Sequence, residues 1–335
     1  MKNIVALLTA LLSLNASAYA SGSDAGKSAY SFLKIGVSAK SQAMAGAYVG
    51  LADDISSLYD NPAGLTAIVY NIKAPLDYMY EEEEEYTAKQ IVIKPNRFIA
   101  SYMNYIIDFQ SGYLGYVRAI NDLSSFGVSI QYQDYGSFDK LDEFGENMGT
   151  FGAFDMALGL TYSKRFNRGF SIGLTGKLIM AKIDSLTSDG MAVDIGGLYR
   201  FGDGRTSIGV ALKNLGTELK GFTKSHKDPL PFLIDGGFSH SLRGMPLTVN
   251  ADLTVPTDSD IYLSVGGQFD SFAPLFLRLG WTSKGKDYKT GSGKDFWGGF
   301  AAGFGYYFQD YKIDYSYSSM ADLGNVHRVS IGVDF

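Results

Sequence analysis

The chain has 335 residues, of which 46% are hydrophobic and only 19% are charged, less than the quarter that is usual in soluble domains. Aromatic residues make up 14% of the chain, which excludes a disordered protein, and the net charge of -6 argues against nucleic acid as a partner, because its binding needs a basic surface. Without cysteine there is no disulfide, no thiolate metal site and no cysteine nucleophile.

Residues 1–20 have the three parts of a secretory signal peptide. Lys2 gives a positive start, residues 4–12 form a short apolar core, and Ala18-Tyr19-Ala20 matches a small-residue cleavage site. The apolar core is shorter than the roughly 20 residues that a membrane-spanning helix needs. No later stretch of the sequence is apolar enough for such a helix, so we predict export and expect any membrane-spanning segment to be a β-strand.

Residues 21–96 are predicted to form an N-terminal plug and a lead-in segment. Small residues dominate 39–65, and residues 55–59 have helical spacing. Asp53 or Asp54 would cap this helix, an interpretation favoured over a metal-binding pair because a closed Ca²⁺ site needs six or more oxygen ligands. Asn61-Pro62 would end the helix. Small side chains let a segment pack inside a narrow lumen, so we expect 21–66 to lie within or beneath a barrel.

Residues 97–335 alternate between apolar and polar residues with the period of a β-strand. In 310–318, tyrosine and isoleucine occupy the odd positions, and aspartate, lysine and serine occupy the even ones. Turn residues divide the region into about 14 antiparallel strands of roughly 9 to 13 residues. Short turns alternate with longer polar connections at 134–152, 184–190, 214–229, 284–295 and 319–325. The pattern predicts an all-β fold, an outer-membrane transmembrane β-barrel with both termini in the periplasm.

Aromatic residues cluster at the predicted strand ends, among them Tyr135, Tyr162, Tyr306 and Tyr307. We expect them to form girdles at the two lipid–water interfaces, which a soluble sandwich would not need, and no blade-length repeat supports a propeller. The alternation places charged residues of both signs inside the barrel: Lys177, Lys213, Arg278, Lys312, Asp314 and Arg328. Glycines in the strands would permit curvature and close packing of a plug: Gly159, Gly173, Gly209, Gly280, Gly299, Gly303 and Gly332.

The last predicted strand ends the chain in an aromatic residue. Its apolar positions are Val329, Ile331, Val333 and Phe335. Such a strand resembles the insertion signal that the barrel-assembly machinery of the outer membrane reads. Together with the signal peptide and the alternation, it makes that machinery and the lipid of the outer membrane the expected partners.

The run 39–65 ends in LADDISSLYDNPAGL and, together with residues 32–36, resembles the N-terminal signature of the PorV/PorQ family. That family is related to the FadL fatty-acid transporters, whose plug also carries an Asn-Pro-Ala element. Lys40 and Gln42 depart from the family, which often has arginine and a small apolar residue there, and the glutamates at 81–85 have no counterpart in it. The resemblance assigns these residues to the plug motif: Gly46, Asp53, Asp54, Asn61, Pro62, Ala63, Gly64 and Leu65.

The sequence contains no nucleophile elbow, zinc-protease motif or phosphate-binding loop, and we expect a non-enzymatic protein without cofactor or metal. The resemblance to PorV implies a component of type IX secretion that binds exported cargo or translocon partners at the barrel mouth. Its candidate contact loop includes Phe222, His226 and Pro229. The relation to FadL implies the alternative, an outer-membrane transporter of hydrophobic small molecules.

Overall fold

The computed structural model of the protein describes residues 28–69, 94–106, 109–166, 169–223, 226–291 and 293–335. The predicted signal peptide and the glutamates at 81–85 lie outside these residues. None of the helices in the described ranges is long and apolar enough to cross a membrane.

Fourteen antiparallel strands close into one barrel, which confirms the predicted fold class and strand number. The first and last strands pair from Arg97 opposite Asp334 to Asn104 opposite His327, so the sheet has no free edge. The strands are β1 (Asn96–Asn104), β2 (Gln110–Asn121), β3 (Ser124–Leu141), β4 (Asn147–Arg165), β5 (Phe170–Ile183), β6 (Leu186–Arg200), β7 (Thr206–Lys220), β8 (Leu233–Ser241), β9 (Leu247–Pro256), β10 (Tyr262–Phe272), β11 (Leu275–Thr282), β12 (Phe300–Phe308), β13 (Tyr311–Ser319) and β14 (Asn325–Asp334).

The two ends of the barrel differ in the connections they carry. One end holds the C-terminus and the short connections 122–123, 166–169, 201–205, 242–246, 273–274 and 309–310; we call it the turn end. The other, the loop end, holds the longest connections, 221–232 and 283–299. In outer-membrane barrels the short turns lie in the periplasm and the longer loops outside the cell, so this asymmetry gives the barrel a direction.

Three of the predicted long connections are wrong in extent. Most of 134–152 is strand, because β3, with 18 residues, and β4, with 19 residues, continue past the barrel rim as a hairpin. The predicted connection 184–190 shrinks to residues 184–185, and β7 takes the first part of 214–229. Outside the membrane a hairpin satisfies its backbone groups by its own pairing, so it needs no apolar alternation and its sequence looks like a polar loop.

Side chains alternate between the lipid face and the lumen along every strand. On β6, for example, Met191, Val193 and Ile195 are exposed, whereas Ala192 and Asp194 are buried. Exposed aromatic side chains form two belts: Tyr162, Phe170, Tyr199, Tyr306, Phe308 and Tyr311 at the turn end, and Tyr132, Phe138, Trp281, Phe296, Trp297 and Phe300 at the loop end. Tyr135 and Tyr307 are exceptions to the predicted girdles, because their hydroxyls hydrogen-bond Asp155 and Arg278 on the lumen face.

Residues 28–69, here called the lumen segment, lie inside the ring of strands. The segment contains a 3₁₀ turn (Ser31–Lys34), helix α1 (Ala39–Ala43), helix α2 (Ser57–Asp60), a 3₁₀ turn (Pro62–Gly64) and helix α3 (Leu65–Val69). Its backbone hydrogen-bonds inward side chains from widely separated strands: Ser125 of β3, Ser163 of β4, Ser207 of β7, Asp252 of β9 and Ser330 of β14. The polar lumen wall thus supplies the partners that this irregular backbone needs.

Candidate functional site

A cavity of about 430 Å³ lies between the lumen segment and the loop end, and we call it the chamber. Tyr59, Asp60 and residues 31–36 of the segment border it on one side. On the other side it is bordered by Tyr105, Phe109, Lys284 and Tyr288 and by the loop-end halves of several strands. Its volume falls within the range of small-molecule pockets. The chamber and the lumen segment that bounds it form the candidate site.

The motif Asn61-Pro62-Ala63-Gly64 makes a fixed junction between the lumen segment and the wall. The Asn61 amide nitrogen donates to the carbonyl oxygens of Val49, at 3.0 Å, and Gly197 on β6, at 3.2 Å. Its side-chain oxygen accepts from the Ala63 backbone N–H at 3.1 Å, which caps the 3₁₀ turn that follows. Asn61 is fully buried, so each of these bonds replaces one that water can no longer make.

Glycines on the lumen face of the wall allow the segment to approach closely. A Cβ atom on Gly209 would lie 2.1 Å from the Val49 carbonyl oxygen, and one on Gly173 would lie 2.2 Å from the Pro62 carbonyl carbon. A Cβ on Gly280 would lie 2.3 Å from the Met44 carbonyl carbon. These three positions agree with the predicted role of the strand glycines. A Cβ on Gly159 or Gly332 would meet only wall residues, and neither contacts the segment.

Asp54 caps the helical run that follows it, as the sequence predicts for Asp53 or Asp54. Its Oδ1 atom accepts the Ser56 backbone N–H at 2.8 Å. Both carboxylates also bind Lys40 of helix α1: the Lys40 Nζ atom lies 2.7 Å from Asp53 Oδ1 and 3.2 Å from Asp54 Oδ2. A buried cation demands such partners. The described residues contain no cluster of carboxylates and histidines that could hold a metal ion.

The close contacts among Lys40, Asp53 and Asp54 shift the pKa values of Lys40 and Asp54 in opposite directions. Burial alone would lower the pKa of Lys40, but Asp53 and Asp54 reverse that effect and leave it well above its usual range. Burial would likewise raise the pKa of Asp54, but Lys40 and the hydroxyl of Ser56 hold it well below its usual range. Lys40 and Asp54 therefore stay charged at neutral pH, although Lys40 is only 5% exposed.

The lumen wall pairs most of its inward charges with one another. Lys177 binds Asp194, Lys213 binds Asp235 and Lys312 binds Asp334, at 2.6 Å, 2.7 Å and 2.8 Å. Arg278 binds Asp314 and also donates to Gln268 and Tyr307. These pairs confirm the prediction of a lumen with charges of both signs. Within these four pairs each charge is matched by an opposite one.

Asp60 and Asp252 are carboxylates at the boundary between the segment and the chamber. Asp252 accepts the backbone N–H groups of Tyr48, at 2.6 Å, and Val49, at 2.7 Å, and so anchors the segment to β9. Burial raises the pKa of Asp60 to about 7, although Lys213 opposes the shift, and its Oδ2 atom has no hydrogen-bond partner among the described residues. Asp60 is therefore an acid that titrates near neutral pH inside the lumen.

The predicted contact loop is shorter than expected and partly turned inward. Phe222 packs against the cluster that holds Phe32 of the lumen segment, and the Pro229 carbonyl accepts from the Ala29 backbone N–H at 3.0 Å. His226 is exposed and pairs with Asp228. Two of the three residues thus secure the beginning of the lumen segment, and only His226 points to solvent.

The remaining motif residues take structural positions. Gly46 has a φ of +82° and its N–H bonds the Ser41 carbonyl, which ends helix α1 in a left-handed cap. Leu65 is fully buried, with Ile99 and Val117 of the wall. On β14, Val329 and Ile331 face outward and Phe335 pairs its backbone with Asn96, as an alternating lipid-facing strand requires. Recognition of this strand by the assembly machinery stays a prediction.

No family model matches the sequence, and no curated protein matches it. The fold is similar to that of solved outer-membrane channels. The Pseudomonas putida toluene transporter TodX has a TM-score of 0.57 and 14% identity over 89% of this chain and 96% of its own. The Ralstonia pickettii toluene transporter TbuX has a TM-score of 0.53 and 12% identity over 88% and 96%. A Pseudomonas aeruginosa FadL homologue has a TM-score of 0.50 and 12% identity over 86% and 96%.

These likenesses show the fold, a closed antiparallel barrel of 14 strands. TodX and TbuX are named as toluene transporters. The similarity to the PorV/PorQ family receives no support from any of these matches.

Proposed function

We propose that the protein is an outer-membrane channel for small molecules with an apolar or aromatic body. The lumen segment acts as its plug, and the chamber receives the solute. The observation that carries the proposal is the chamber itself, about 430 Å³ of space inside a closed barrel and directly in front of a packed segment. A barrel that only held its place in the membrane would have no need of such a pocket.

The lining of the chamber supports an aromatic body for the solute. Aromatic residues border it in addition to those of the lumen segment, among them Tyr105, Phe109, Tyr135, Tyr262 and Tyr288. Aromatic rings bind other rings in offset or edge-on arrangements beyond the effect of burial alone. The toluene transporters of similar fold are named for an aromatic compound, which agrees with this lining.

Passage beyond the chamber requires the lumen segment to move. The segment contacts the wall on opposite sides, through Ala39 to β14 and through Gly50 to β7, which are seven strands apart in the ring of fourteen, so it crosses the lumen. Its stability in that position then sets how often the channel conducts. Gating is thus a property of the contacts between segment and wall.

The test is uptake of a labelled aromatic compound into liposomes that contain the purified protein. Thr254→Trp places a bulky side chain in the chamber, because Thr254 lines it from β9. Leu253→Trp is the matched control, since the neighbouring residue is 45% exposed on the lipid face. We expect at least a tenfold slower uptake for Thr254→Trp and an unchanged rate for the control. Equal rates for wild type and Thr254→Trp would refute the proposal.

A second candidate is a secretion-associated barrel of the PorV/PorQ type. The motif at 39–65 supports it, and so does the hairpin of β3 and β4, whose tip exposes Leu141, Phe144 and Met148 beyond the barrel rim. Exposed apolar residues at a hairpin tip are a feature of protein contact sites. Purification of the tagged protein from native outer membranes separates the two functions. Exported proteins with a shared C-terminal domain, in near-stoichiometric amount, favour secretion; a lone barrel favours the channel.

A further inference from the structure

Arg328 is the one charge among the six predicted lumen residues that lacks an opposite charge in the described part of the chain. It lies on β14, is only 4% exposed, and lines the chamber. Its Nε atom donates to the Gly36 carbonyl at 3.0 Å and Nη1 is 3.4 Å from the Ser318 hydroxyl. The Nη2 atom has no partner among the described residues, so a buried guanidinium keeps donors unused beside an open space.

The register of the strands explains why Arg328 is unmatched. Its cross-strand neighbours are Met103 on β1 and Ser316 on β13, and neither can neutralise it. By contrast, Lys213 and Arg278 each reach a carboxylate on a nearby strand. An unpaired buried charge is costly unless something else supplies the counter-charge.

Lys284 is a second unmatched cation of the chamber. It lies in the 3₁₀ turn Ser283–Tyr288, and its Nζ atom stands 5.5 Å from the centre of the Tyr262 ring. No carboxylate binds it within the described residues. Burial and the nearby charge of Lys34 lower its pKa, and the more weakly acting carboxylates of Asp287 and Asp258 do not reverse that shift. An anion in the chamber would relieve that unfavourable environment.

The carboxylates of the chamber do not cancel these two cations. Asp235 is committed to Lys213, and Asp252 to two backbone N–H groups of the lumen segment. Asp60 is protonated for part of the time at neutral pH, because burial raises its pKa to about 7. The uncommitted charge in the chamber is therefore positive.

We infer that the chamber binds an aromatic organic anion, a small aromatic carboxylate, with its carboxylate on Arg328 and Lys284 and its ring among the tyrosines. A guanidinium offers two parallel N–H donors to a carboxylate, which fits the unused side of Arg328. Tyr59, Tyr105 and Tyr288 lie near Arg328 and place aromatic surface beside the charge. This inference rests on the proposed channel function and adds a charge preference to it.

The test is calorimetric titration of the purified protein with three compounds of nearly equal shape: benzoate, benzyl alcohol and benzylamine. We expect benzoate to bind at least tenfold more tightly than benzyl alcohol, and benzylamine to bind most weakly. Arg328→Gln should remove most of that preference, Arg328→Lys should keep part of it, and Lys284→Met should reduce it severalfold. Benzyl alcohol should bind all these variants as it binds the wild type.

Lys286→Met is the matched control, because Lys286 lies two residues from Lys284 but is exposed and paired with Asp260 at 2.7 Å. It should not alter benzoate binding. If Arg328→Gln fails to fold, Lys284→Met still carries the test. Equal binding of benzoate and benzyl alcohol would overturn the inference while leaving the channel intact. If none of the three compounds binds and Thr254→Trp leaves uptake unchanged, the proposed function fails as well.

Discussion

Replacing Lys40 by methionine should weaken the docking of the lumen segment inside the barrel, because it leaves the Asp53 and Asp54 carboxylates without their counter-charge where docking holds them away from water. The substitution keeps the length of the side chain but removes the cation that Asp53 and Asp54 share, and it leaves both carboxylates in a largely buried site. Breaking a buried ion pair by deleting one partner costs about 3–5 kcal/mol, and the partial exposure of Asp53 places this case at the lower end. We expect a loss of about 3 kcal/mol in the docking of the segment.

Such a loss changes the population of the undocked segment by roughly 100-fold. Single-channel recording in planar bilayers measures that population, because an undocked segment opens the lumen to ions. Wild-type protein should conduct rarely, and Lys40→Met should conduct for a far larger fraction of the time. The triple variant Lys40→Met, Asp53→Asn, Asp54→Asn removes the uncompensated charges, so it should return most of the way to wild type.

The control for this experiment is Lys140→Met. Lys140 binds Asp184 at 2.7 Å, the same distance as in the Lys40 pair, but both side chains are exposed. An exposed pair contributes less than about 1 kcal/mol, so the control should conduct like wild type. If Lys40→Met and Lys140→Met gave the same open fraction as wild type, unpaired carboxylates at Asp53 and Asp54 would not weaken the docking of the segment, and the reasoning would be refuted.

Two further predictions use the same recording. Burial raises the pKa of Asp60 to about 7 in the docked segment, so the docking of the segment should weaken by up to about 4 kcal/mol as pH rises from about 4 to about 7. The open fraction should therefore rise with pH, and Asp60→Asn should abolish that rise. An unaltered pH profile in Asp60→Asn would show that another group titrates. Gly209→Ala places a Cβ atom 2.1 Å from the Val49 carbonyl oxygen and should weaken the docking of the segment by about 2 kcal/mol. Gly197→Ala is the control, because its Cβ atom would meet nothing within 4 Å and should have no effect. Equal open fractions for the two variants would contradict the close contact at Gly209.

The barrel itself could be predicted because its signal is local. In a β-strand successive side chains point to opposite faces, so the alternation of apolar and polar residues indicates which side chains face lipid and which face the lumen. The inward placement of Lys177, Lys213 and Arg278 follows from that count alone, and the structure pairs each with a carboxylate. The alternation of apolar and polar residues ends where the chain leaves the membrane. The sequence of 134–152 therefore predicts a loop, although its backbone pairs as in any strand.

The contacts of the lumen segment could not be predicted in the same way. In the sequence, Lys40 differs from the family pattern, but lysine is rarely buried and nothing in its neighbourhood predicts burial. The sequence predicts that Asp53 or Asp54 caps the following helical run, and Asp54 does so through Ser56, but no local pattern indicates that both carboxylates also bind Lys40. The prediction that the Asn61 motif ends a helix is correct, yet the bond of Asn61 to Gly197 on β6 depends on how the segment crosses the lumen.

The unmatched charges of the chamber could not be predicted from the alternation of residues along each strand. Alternation places Arg328 on the inner face, and Lys284 lies within a predicted loop, but whether either is neutralised depends on which residues stand opposite after the barrel has closed. Closure brings Met103 beside Arg328, across the junction of the first and last strands. Lys177, Lys213, Arg278 and Lys312 are each matched by a carboxylate, whereas the unmatched cations Arg328 and Lys284 line the same cavity. Natural proteins depart from a local rule mainly at functional sites, and two unmatched cations around one cavity agree with the anion site that we infer for the chamber.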